Sequence, residues 1–128
     1  MSDSVPPSYA PKSSLPPPPG VRHVIAVIGG RGGVARGRDA VDAAIEQTRD
    51  FLLTMQRTVG EVHRAGGTLK QAFDATHEAL APQYGAWPIF EHCLPFDVSR
   101  IWDEFSGTER PVIWTAERDR AVWDQLQG

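Results

Sequence analysis

Between Asp39 and Arg64 seven positions follow one rule. Val41, Ile45, Thr48, Leu52, Met55, Val59 and Val62 recur at alternating spacings of four and three. That places them on one stripe of a helix, an a/d seam of about three heptads. Asp39 can cap the start of the helix, and Gly66-Gly67 can end it. The other face carries Asp42, Glu46, Arg49, Asp50, Arg57, Glu61 and Arg64. A second helix opens at Thr68, with Gln71 completing a capping box. Its inward side is Leu69, Ala72, Phe73, Thr76 and Leu80, and Pro82 is expected to stop it. A third helix starts at Pro95 or Asp97, turns Val98, Ile101, Trp102 and Phe105 inward, and stops at Gly107. Thr115 caps a short last helix with Val122, Trp123 and Leu126 on one side.

Two stretches break the helical period. Residues 21–28, VRHVIAVI, form a β-branched run of strand length, followed by the loop GGRGG at 29–33. No second strand is evident after it. Residues 82–96, PQYGAWPIFEHCLPF, are aromatic and proline-rich, and predict an irregular segment packed over the helices. Residues 1–20 hold seven of the eleven prolines and almost no large apolar group. Such a segment buries too little surface to offset its ordering entropy, so a disordered or polyproline-like leader is expected. Pro16–Pro19 also have the form of an SH3-type ligand. The expected organisation is a leader at 1–20, a strand and glycine-loop remnant at 21–33, and a helical region at 34–128. The fold class is mainly α, with a short N-terminal strand and about four helices.

Composition narrows the function classes. Thirteen Lys and Arg against sixteen Asp and Glu give a formal net charge of −3. No basic cluster marks a nucleic-acid surface. The single cysteine, Cys93, excludes an intramolecular disulfide. No apolar run approaches the ~18 residues of a membrane span, and no secretory signal opens the chain. A cytoplasmic protein is expected.

Candidate chemistry is thin. Gly30, Gly32 and Ala35 fit G-x-G-x-x-A, a pattern that holds a pyrophosphate at a helix N-terminus. Asp50 lies about twenty residues on, but inside the heptad helix rather than at a strand end. A P-loop fails because Arg38 and Asp39 follow Gly37 where Lys-Ser or Lys-Thr is required. The histidines His23, His63, His77 and His92 share no i, i+4 or H-x-H spacing. Adjacent His92 and Cys93 are weak metal or thiolate candidates, and the apolar neighbours Phe90, Leu94 and Phe96 predict burial of the thiol. Trp87, Trp102, Trp114 and Trp123 are expected in the core.

The stretch VIGGRGGVARGRDAVDAA resembles the V-I-P-G-H-G-P-V…G…A-V passage of metallo-β-lactamase-fold hydrolases. AGGTLKQAFDA, YGAWPIFEHCLPFDVSRIWDE and WTAERDRAVW resemble the helical C-terminal extension of one bacterial branch of that family. The likeness runs from about Val21 to Gln127, and the FEHCLPF block is its most specific part. It implies a C-terminal fragment of an αββα sandwich with a helical extension, from a zinc-dependent hydrolase. Within the resemblance, Arg31 takes the place of the zinc-ligand histidine, and Gly29 and Gly33 take those of the loop prolines. Arginine has no lone pair to offer a metal. The family's H-x-H-x-D-H motif is absent. The expectation is therefore no catalytic residue, no metal and no cofactor in this chain, and no hydrolysis by it alone. The expected partners are the family's catalytic portion and a second copy joined through the 39–65 helix at Val41, Ile45, Leu52, Met55, Val59 and Val62. A small helical dimerisation module and a nucleotide-binding protein using the glycine loop are the rival readings.

Overall fold

The computed structural model describes residues 26–29 and 33–128. The leader, His23 and Arg31 lie outside the described residues. The protein is mainly α. Two short strands, β1 (Ala26–Ile28) and β2 (Val34–Arg36), precede four helices, α1 (Arg38–Arg64), α2 (Leu69–Tyr84), α3 (Phe90–Phe105) and α4 (Ala116–Gln127). By contacts the chain divides into two compact units, Met1–Arg49 and Asp50–Gly128.

In the first unit the strand expected at 21–28 is described only at its end. It pairs antiparallel with β2, in the register Ala26 with Arg36, Val27 with Ala35 and Ile28 with Val34. The second strand corrects the sequence reading, which found none. Val34–Arg36 is three residues set between glycines, too short for an alternation to show. Asp39 is not the cap of α1 but lies in its first turn, where its carboxylate favours the positive end of the helix dipole. The first helical bond runs instead from the Val41 amide to the Gly37 carbonyl, with Gly37 at φ +81°. In this unit Val41 is buried, and Ile45 is exposed.

The second unit has its own core. Met55 and Val59 from the end of α1, Leu69, Ala72, Leu80 and Tyr84 from α2, Phe90, Leu94 and Val98 from α3, and Val122 from α4 form one buried cluster. Val62, Phe73, Ile101, Trp102, Phe105, Trp114 and Leu126 pack against it half-buried. Leu52, on the same stripe as Met55, remains 55% exposed. The a/d seam is thus consumed inside the chain at Met55 and Val59, and open at Leu52.

The helix ends obey local rules. Gly66 takes φ +75°, and its amide and that of Gly67 donate to the His63 and Val62 carbonyls, a Schellman closure of α1. Gly107 at φ +91° closes α3 in the same way, with Gly107 and Thr108 donating to Glu104 and Asp103. Thr68 and Gln71 make the expected reciprocal capping box of α2. The Thr115 hydroxyl accepts from the Arg118 amide at the start of α4.

The prolines are where packing overrides local preference. Pro82 does not stop α2, which continues to Tyr84. Nor is 82–96 irregular throughout, because α3 already begins at Phe90 and carries Pro95 inside it. Each proline forfeits one helical bond. In α3, however, Phe90, Leu94 and Val98 are buried at successive spacings of four, and this apolar ridge holds the helix through Pro95. In α2, burial of Tyr84 does the same past Pro82. The chain enters α3 through Ile89 at φ +57°, a left-handed conformation that a β-branched residue adopts only under strain.

Candidate functional site

Several polar pairs tie the helices of the second unit together. On α1, Asp50 accepts a hydrogen bond from the buried Tyr84 hydroxyl. The Tyr84 ring stands edge-on to Phe51 at 5.3 Å and lies 4.5 Å from Trp87. Burial, then the Asp50 carboxylate, push the phenol from its ordinary 10.0 up to about 12. The neutral phenol is therefore favoured in the folded state. Its contribution to stability is complete below pH 10 and lost as pH rises through about 12. Alkaline unfolding followed by circular dichroism should steepen across that window in the native chain. It should flatten there in Tyr84→Phe; equal slopes would show that folding does not hold the Tyr84 phenol neutral.

His77 on α2 meets Glu91 on α3 at 2.9 Å, with its ring 5.8 Å from Phe90. His63 on α1 lies 3.1 Å from the Ser106 hydroxyl and edge-on to Trp102 at 4.7 Å. A nucleophilic serine needs a base that a third group orients. Among the described residues no carboxylate holds the His63 ring; Trp102 and Phe105 flank it instead. The pair latches the end of α1 to the end of α3.

The weak candidates His92 and Cys93 are adjacent on α3, so their side chains leave the helix about 100° apart. His92 is exposed against Phe96 at 5.6 Å. Cys93 is half-buried rather than enclosed. Among the described residues no three His, Cys, Asp or Glu side chains converge as metal ligands. The glycine loop joins two antiparallel strands, and Ala35 lies in β2, so the loop does not lead directly into a helix N-terminus that could hold a phosphate. Asp97 on α3 is a half-buried carboxylate that burial pushes above its ordinary range.

None of the four tryptophans expected in the core is fully buried: Trp102 and Trp114 pack against it half-buried, and Trp87 and Trp123 are exposed, Trp123 by 61%. Trp123 sits on a groove of about 230 Å³ between α3 and α4, lined also by Glu91, Pro95, Phe96, Trp114 and Asp119. Phe96 and Trp114 form its wall, with ring centroids 4.5 Å apart. The Trp114 indole donates to Asp119 at 3.2 Å, and the Arg118 guanidinium lies 5.2 Å over the same ring while pairing with Asp103 on α3. The groove thus sets aromatic rings beside two carboxylates, Glu91 and Asp119. The sequence signal was Trp123 directly after the inward Val122, a position that cannot share its face.

No family model matches the chain, and no curated protein matches it. Among the described residues, no helix is long and apolar enough to cross a membrane.

Proposed function

We propose that this chain is the helical C-terminal module of a bacterial metallo-β-lactamase-fold hydrolase, acting in the cytoplasm and without hydrolase activity of its own. Its partner is the portion of such an enzyme that carries H-x-H-x-D-H. The observation that supports this most is the pairing of a two-stranded ribbon with a self-sufficient helical core. A lone two-stranded ribbon is marginal by itself, so the pairing of Ala26–Ile28 with Val34–Arg36 suits the edge of a larger sheet. The helices that follow carry the FEHCLPF block in α3, in the order the resemblance requires. Lewis-acid activation of water needs a cluster of ligands, and among the described residues no three His, Cys, Asp or Glu side chains form one. Zinc titration of the purified full chain, read by elemental analysis after desalting, should give clearly substoichiometric metal. Tight binding of one or two equivalents refutes the reading.

A homodimer through the 39–65 helix is the second reading. It draws support from the exposure of Leu52 and Leu53 in the second unit. Met55 and Val59, buried in the chain's own core, are not available to such a seam.

A further inference from the structure

We propose that the groove between α3 and α4 binds a proline-rich peptide with basic flanks, a function independent of any hydrolase partner. The wall supplies the first reason. Pro95, Phe96, Trp114 and Trp123 present an apolar, largely aromatic surface. Polyproline helices dock on such surfaces through flat pyrrolidine faces and lose little entropy on binding. Their backbone carbonyls have no internal partner. The Trp114 N–H is already given to Asp119, but among the described residues the Trp123 N–H has no protein acceptor and is free to donate to such a carbonyl.

The edge supplies the second reason. The charged residues lining the groove are Glu91 and Asp119, both acidic. The Glu91 side chain is 69% exposed even while it pairs with His77. Such an edge attracts a basic flank and repels an acidic peptide. Size is the third reason: about 230 Å³ is below the ~300–1,000 Å³ of a small-molecule cleft, and the space is an open groove. The chain itself carries a segment of the required chemistry, Pro16–Pro19 between Lys12 and Arg22.

The test uses a fluorescein-labelled peptide of residues 11–23, read by polarisation. It is run on the full chain and on a full-chain variant with Pro16–Pro19 replaced by alanine, which removes competition from the chain's own run. Saturable binding is expected in one or both. In the same background Trp123→Ala should weaken it by about tenfold or more, and Trp123→Phe by much less. Replacing Lys12 and Arg22 of the peptide with serine should weaken it further, and added salt should act in the same direction. Circular dichroism confirms that the exposed Trp123 variants stay folded. Absence of saturable binding in both backgrounds overturns the proposal, as does equal binding of a proline-free scrambled peptide or indifference to Trp123→Ala. Trp123-dependent dimerisation without peptide binding assigns the groove to a second copy and overturns it equally.

Discussion

Val59→Asp should abolish cooperative folding of the helical unit at neutral pH, whereas Leu52→Asp, seven residues earlier on the same stripe, should leave it intact. Val59 is wholly inaccessible and sits in the core cluster with Met55, Leu80, Leu94 and Val98. A carboxylate there loses its hydration and gains no partner, a cost that exceeds ~4 kcal/mol. That is a large part of the ~5–15 kcal/mol that holds a domain together. Leu52 is 55% exposed, so the same substitution should change stability by less than ~0.5 kcal/mol. Urea unfolding followed by far-ultraviolet circular dichroism gives both values. Tolerance of Val59→Asp would mean that the end of α1 is not packed as described. A loss above ~2 kcal/mol from Leu52→Asp, growing weaker at low protein concentration, would instead show that a second copy covers this face.

The contrast between these two positions marks how far the sequence could be read. Heptad spacing identified the stripe of α1, and it identified the inward faces of α2 and α3, because 3.6-residue periodicity is a property of the chain itself. The caps at Thr68 and Thr115 and the closures at Gly66 and Gly107 were legible for the same reason: each is satisfied by atoms a few residues away. Which part of the stripe is covered depends on where α2 and α3 lie, and no local pattern encodes that. The prolines misled in the same sense. A local rule ends a helix at Pro82 and delays the next to Pro95. The buried ridge of Phe90, Leu94 and Val98 belongs to tertiary packing and outweighs one lost hydrogen bond. The strand β2 was missed because three residues carry no period.

The candidate site shows a sharper limit. Trp114 and Trp123 sit nine residues apart, and Phe96 precedes them on another helix, so their meeting across one groove has no sequence signature. Residue type alone places tryptophan in the core, yet Trp102 only packs half-buried against it and Trp123 is exposed. The pairings His77 with Glu91 and Asp50 with Tyr84 span fourteen and thirty-four residues. They link helices through side chains that no local spacing pairs. The reverse holds for His92 and Cys93. Their adjacency, visible in the sequence, already argues against shared ligation once α3 is helical.

Gly60→Leu should destabilise the helical unit by about 3 kcal/mol or more, although it removes a glycine from the interior of a 27-residue helix. Taken alone, helix propensity favours the change by up to ~1 kcal/mol. The opposing effect comes from α3. A Cβ at position 60 would lie 2.7 Å from Phe105 Cζ and 3.1 Å from Cε2, with the Arg64 guanidinium at 3.0 Å. Carbon atoms in contact rest at ~3.5–4.0 Å, so the aromatic tip must retreat. It cannot retreat alone, because the Phe105 ring is 6.0 Å from the His63 ring, His63 bonds Ser106, and Arg64 lies over the Phe105 face. A leucine side chain extends the intrusion and forces α1 and α3 apart where Val59 and Val98 are buried. A double-mutant cycle isolates the cause. Phe105→Ala in the Gly60→Leu background should cost less than the two single changes added together, with a coupling of ~1–3 kcal/mol. Strict additivity would show that the glycine is not there to seat the ring.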